Sequence, residues 1–313
     1  MGIVSTSKTH SNTLKGSKDP RTIDQPSTID GIAGDAPDAF GIPNLVVNVG
    51  LISNGAPSGI AVDLEQNGLV LNAGSIEATG TGGVGVRIVS RLPAGSGAVV
   101  INSGTISGRL DSVDLPAGGF VVNTSGGLID GQSRYGIDVT GTPGTIFNAG
   151  AILGGSGTTG GAGIVLKSGM IINDGLIAGG DAVSADPATH RTGDVGVAML
   201  SGGTLTNTGR IEGGNGRYPT GAGDSGVVLY VGGLVGNSGT IMGGAGASSA
   251  YYDLIGAGGV GIQLVAGGTI DNTGIILGGR NGGFYRNGSA AIDLQAGRSR
   301  GQRRRRADRG RKQ

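Results

Sequence analysis

Cysteine and tryptophan are absent from the 313 residues, and only 3% are aromatic. The first absence removes disulfides, thiolate metal sites and Cys nucleophiles together, while leaving the cellular compartment open. The scarcity of aromatics argues against an ordinary globular core, because a compact domain of this length buries many large rings. Histidine is nearly missing too: His10 lies in a polar N-terminal stretch and His190 in an expected loop, so no His-based triad or metal cluster is supported. No run of about 18 apolar residues suggests a membrane-spanning helix. The opening MGIVSTSKTHSNTLKGSKDP lacks the apolar run of a signal peptide. Neither a Gly-x-Ser-x-Gly elbow nor a phosphate loop stands in a strand-turn-helix context, and the calcium-binding Gly-Gly-x-Gly-x-Asp run is missing, so no cofactor or metal is expected.

What the chain does have is glycine, 70 residues of it, among Val, Ile, Leu and Ala that bring the hydrophobic share to 37%. β-branched residues suit a pleated surface, and Gly punctuates short strands with tight turns. The net charge of +1 hides an asymmetry, because residues 298–313 hold nine bases and one acid. The remainder has 14 basic and 21 acidic residues, a net of −7 that does not suit a nucleic-acid binder.

One motif, aliphatic-x-Asn-x-Gly-x-Ile, recurs nine times, at Asn48, Asn72, Asn102, Asn123, Asn148, Asn173, Asn207, Asn237 and Asn272. Two residues before each Asn stands Val, Ile or Leu, and four after it Ile, from Ile52 to Ile276; only the Asn123 copy differs, its Ile delayed to position 129. These positions share one parity, as in a strand with one buried face. A second motif follows each, from Val62-Asp63-Leu64 to Ile292-Asp293-Leu294. Each repeat is therefore read as two short strands that must stack on their neighbours to hide their apolar face. The fold class expected is all-β, a right-handed parallel β-helix of about nine coils and roughly 43 Å length at about 4.8 Å per coil. The inward Asn residues are expected to form a ladder bonded to backbone or to one another, and the Gly after each to admit a turn that a β-carbon would obstruct. The many Gly-Gly pairs read as turn chemistry. Residues 1–43 are expected to be a polar, partly disordered segment, 44–297 the repeats and 298–313 a disordered Arg-rich tail.

From each Asn to its second motif the separation is 11 to 16 residues in the first five coils, then 24, 20, 25 and 20. Length variation thus falls at one corner, whose loops hold Arg217, Tyr218, Tyr251, Tyr252, Asp253, Arg280, Phe284, Tyr285 and Arg286. Aromatics with nearby Arg make either a contact patch or loop tips packed on one another. Along the second strand, Asp63, Arg87, Asp114, Asp138 and Asp293 share one outward phase. They read as a solvated ladder opposing lateral aggregation; the alternative is a carboxylate pair of a polysaccharide-active, pectinase-like β-helix enzyme.

Segments such as INSGTISG (101–108), LTNTGRIEGG (205–214) and VGNSGTIMGG (235–244), each followed by a Gly-Val-x-Leu type strand, resemble the passenger repeats of type V autotransporters. The resemblance spans about residues 44–297. It implies a secreted, non-catalytic stalk or adhesin displayed at the cell surface and outer membrane, meeting a host or neighbouring-cell protein or glycan, with no nucleic-acid partner. It also implies a C-terminal β-barrel, absent here, as the sole membrane element. The switch to RSRGQRRRRADRGRKQ in mid-coil is read as a truncation or frameshift, against a nucleic-acid-binding tail or an undefined one.

Overall fold

The structure, a computed structural model, describes residues 45–64, 67–89, 97–141, 143–156, 161–183, 192–217, 220–247, 256–282 and 288–295, together with the backbone of Asn44 and of strands within 2–34. Among the described residues there is no helix, and every strand pairs in parallel within one of three sheets. The chain is a right-handed parallel β-helix whose nine coils each place one strand in each sheet. The first coil is formed by Asn44–Asn48, Leu51–Asn54 and Ile60–Leu64, on the first, second and third faces in turn. The ninth is formed by Thr269–Asn272, Ile275–Leu277 and Ile292–Leu294. Short strands between Gly2 and Gly34 continue the same ladders ahead of the first coil.

Two strands per repeat was the expectation, and the structure has three. The Asn motif is bent in the middle: Val46 and Asn48 close a strand on the first face, while Ile52 belongs to the second. The corner consumes Val49 and Gly50, two residues, so inward parity passes through it unchanged and period-two alternation carries no mark of the bend.

Pairing is residue for residue, Val46 on Val70 and Asn48 on Asn72 in the first step and Val235 on Ile270 and Asn237 on Asn272 in the last. Each coil therefore delivers its aliphatic residues to one continuous core. Val46, Ile52, Val62 and Leu64 of the first coil are fully buried, as are Ile146, Ile152, Ile164 and Leu166 of the fifth. Branched residues in identical register stack like on like, which is how a thin rod fills its interior without rings. In the ninth coil the same positions open up: Ile270 and Ile276 are half-buried, Ile292 is 41% and Leu294 59% exposed.

Candidate functional site: the asparagine ladder, the glycine fin and the outer faces

All nine asparagines come together in a single column. The Asn48 amide donates to Asn72 Oδ1 at 2.7 Å, and the relay runs unbroken to Asn272, no step exceeding 2.9 Å. Each second N–H is shared between the carbonyl two residues on and one in the next coil, as Asn148 donates to Gly150 O (3.3 Å) and Leu176 O (3.0 Å). An amide turned the other way would set its oxygen against those carbonyls, so the orientation is fixed by chemistry. Eight of the nine are no more than 3% exposed, and Asn272 at the open end is exposed. At Asn123 the longer corner makes Gly127 O, at 3.1 Å, the carbonyl that accepts, so the insertion bulges while the ladder passes through.

From Gly74 onward, in every copy but that of Asn123, where Ser125 stands, the glycine two residues after the Asn is required by the coil beneath. A β-carbon on Gly175 would lie 2.1 Å from Gly150 O, and on Gly239 2.1 Å from Gly209 O. Gly-Gly pairs divide into two kinds. Gly202-Gly203 and Gly232-Gly233, leading into the first face, have positive φ throughout (85°, 134°, 53° and 122°) and are the expected turn chemistry. Gly179-Gly180, Gly213-Gly214, Gly243-Gly244 and Gly278-Gly279, at the corner between second and third faces, have no such φ. There a β-carbon would strike the backbone of a neighbouring arm, 1.9 Å from Gly155 O for Gly180 and 1.8 Å from Gly244 O for Gly279.

Those arms form a fin along the rod. The outgoing arm of one coil and the returning arm of the next alternate in a backbone relay: Asp194 N to Gly180 O (3.1 Å), Gly214 N to Asp194 O (2.7 Å), Asp224 N to Gly214 O (3.0 Å), and so on to Ser289 N on Gly279 O (2.9 Å). The sequence marked this corner as long but not as ordered. Of the nine residues proposed for its binding edge, Arg217 and Arg280 stand exposed on the fin. Tyr218, Tyr251, Tyr252, Asp253, Phe284, Tyr285 and Arg286 lie outside the described residues, as do His10 and His190.

The outward sides differ from face to face. On the third face Val165, Ala198 and Val228 are outward yet buried, forming a second apolar cluster with Ala162 and Val195 of the returning arms. Asp194 and Asp224 sit on those arms, each accepting its neighbour's N–H at 2.7 and 2.6 Å. Burial pushes Asp194 up to about 6 and raises Asp224. In the first four coils the third face instead carries Asp63, Arg87, Asp114 and Asp138, with Asp111 and Arg134 beside them. Here burial, reinforced by neighbouring carboxylates, pushes Asp114 and Asp138 each up to about 6.

Carboxyls whose folded pKa exceeds the unfolded value hold their protons better when folded. Their stabilising effect is complete below about pH 4 and is lost as pH rises through about 6. The melting temperature should therefore be several degrees higher at about pH 4.5 than at about pH 7.5, with the largest slope between about 4 and 6. A thermal scan in matched ionic strength checks this, and a flat or inverted profile refutes it.

The first face holds a feature that the sequence reading passed over. Its outward positions in coils one to six are Leu45, Val47, Leu69, Leu71, Val99, Ile101, Phe120, Val122, Thr145, Phe147, Met170 and Ile172, all half-buried and apolar but for Thr145. Phe120 and Phe147 touch, ring centroids 5.3 Å apart. From coil seven the positions turn to Thr204, Thr206, Leu234, Gly236, Thr269 and Asp271. The signal was legible: GLVLN, AVVIN and GFVVN are unbroken apolar runs, the pattern of strands covered on both sides.

Neither family models, curated proteins nor solved structures return a match to this chain. The assignment of function therefore rests on the geometry. Among the described residues no group of three His, Cys, Asp or Glu is placed to hold a metal ion, and no helix is long and apolar enough to cross a membrane.

Proposed function

We propose that the chain is a non-catalytic contact rod, the passenger part of an autotransporter-like surface protein, acting in cell-surface adhesion or aggregation. The observation that carries this reading is the apolar outer stripe of the first face. Eleven of twelve outward positions over six consecutive coils are apolar and each is only half-buried, and a chain without a partner rarely presents so long an apolar stripe partly open to solvent. The solenoid supplies what an adhesive stalk needs, a stiff backbone whose faces change character along its length while the core repeats. Its partner would be another cell's surface protein or glycan, met through the stripe and the fin.

Display of the protein on beads tests the proposal. Wild-type beads should clump or capture cells. The combined change Val47→Thr, Leu71→Thr, Ile101→Thr and Phe147→Thr, which copies the Thr usage of coil seven, should reduce this about five-fold or more while leaving the melting temperature within a few degrees. Undiminished clumping would remove the stripe from the account. Release of sugar ends from polygalacturonate by the wild type would replace the adhesive reading with the polysaccharide-active one.

A further inference from the structure

Six charged side chains gather on the outer side of the third face in coils one to four. Among the described residues, each of the two cations holds a carboxylate. Arg87 binds Asp63 through Nε (3.0 Å) and Nη2 (2.7 Å), and Arg134 binds Asp111 Oδ2 at 3.1 Å while lying 4.1 Å over the Tyr135 ring. That leaves Asp114 and Asp138, partners in adjacent strands and hence about 4.8 Å apart along the rod. Beneath Asp138 the next residue of the column is Val165, an apolar floor. Asp138 is only 8% exposed, and its Oδ1 is buried without a hydrogen-bond partner. Asp114 is more open and also makes no side-chain hydrogen bond among the described residues.

We propose that the adjacent carboxylates of Asp114 and Asp138 seat a protonated primary amine, either a lysine side chain of a partner or a free polyamine. A buried carboxylate oxygen with no donor is costly, and the group that relieves it must bring both a proton donor and positive charge. The six side chains sum to −2, with both guanidinium groups already engaged. A compact ammonium on a flexible stem reaches a sunken oxygen, and its three donors suit two carboxylates. A planar guanidinium gains most where both oxygens of one carboxylate are open to it. This carboxylate pair lies on a different face from the apolar stripe, so the inference stands apart from the adhesive reading.

Titration calorimetry on the full chain at about pH 7.5 tests it, with 1,5-diaminopentane and Nα-acetyl-lysine methylamide as probes. Both should bind saturably, and the Nε-acetylated lysine amide should not. Asp138→Asn should weaken binding about tenfold or more, while Asp293→Asn, in the same column at the open end, should change nothing. Asn is isosteric and removes a buried charge, so the variant should melt no lower than wild type; the melting curve confirms that it is folded. Lowering the pH to about 5 should weaken binding as the carboxyls that face the amine, Asp111, Asp114 and Asp138, take up protons against Arg87 and Arg134. Equal affinity of the two amines marks a lysine side chain as the source; much tighter diamine binding marks a polyamine. Loss of no affinity in Asp138→Asn, equal loss in Asp293→Asn, or binding of the acetylated probe would overturn the proposal.

Discussion

Asn148→Ala should cost about 3–5 kcal/mol of unfolding free energy, several times the effect of the same change at Asn272. In mid-ladder the amide accepts from Asn123 and donates to Asn173, Gly150 O and Leu176 O. Truncation strands a donor above and an acceptor below in a site where water has no room, because Asn148 is 2% exposed. Each orphaned polar group costs about 1–3 kcal/mol, and the lost volume adds to that. At Asn272 the amide is open to solvent and donates only to Gly274 O beyond its bond from Asn237, so water replaces what is lost. Asn148→Asp should be worse than Ala at neutral pH, since a carboxylate would face Asn173 Oδ1 and two carbonyls with no proton to offer. It should recover in part on acidification, when the acid regains a donor. Urea unfolding of the four proteins gives the ranking directly. Equal losses at 148 and 272 would mean that the ladder is ornamental to stability.

The core and this ladder were legible because both depend on repetition. The inward positions named from parity are buried from Val46 to Val235 on the first face and from Ile52 to Ile241 on the second, Ile270 and Ile276 of the last coil only partly so, and every Asn joins the relay. Stacking in register turns a one-dimensional repeat into a three-dimensional column with no further information. The corner between first and second faces was illegible for a stated reason: it consumes an even number of residues. The fin was illegible because glycine carries no side chain whose burial could be read from pattern. Its order lies wholly in backbone bonds such as Gly214 N to Asp194 O.

The candidate sites were read less well than the core. Asp114 and Asp138 were identified as neighbours in one outward phase, but a solvated ladder was preferred; the structure buries Asp138 beside Val165 because the apolar cluster of the fifth to seventh coils begins there. Asp111, Asp194 and Asp224 precede their strands outside the motif, and nothing in their spacing announced that the returning arms enclose them. The length variation and the aromatics point to the long loops, whereas the first face carries its signal in unbroken apolar runs. Its outward Leu, Val, Ile, Phe and Met are varied in kind while uniform in polarity, so no repeated letter marks the stripe.

Gly175→Ala should do more damage than any side-chain deletion in the rod. The added carbon would stand 2.1 Å from Gly150 O, 2.7 Å from Ala149 C and 2.9 Å from Ala149 O, all backbone of the coil beneath. A side chain can rotate away, whereas these atoms are held by the bonds of Ala151 N to Gly127 O and Leu176 N to Gly150 O. Relief requires the fifth and sixth coils to part at this corner, which also stretches the step from Asn148 to Asn173, 2.7 Å in the intact ladder. A solenoid's cooperativity passes only through nearest-neighbour interfaces, so a weakened interface divides it. The expected loss is about 4 kcal/mol or more, and with it two separate unfolding transitions in place of one, the coils before the break melting apart from those after it. Gly236→Ala is the matched control. Its β-carbon would meet nothing nearer than Leu205 O at 3.9 Å, its φ is not positive, and a strand gains from losing the entropy of glycine. That variant should be as stable as wild type or slightly more so. A single cooperative transition at wild-type temperature for Gly175→Ala would show that the coils can slide apart at little cost, and the close-packed corner would lose its role in holding them in register.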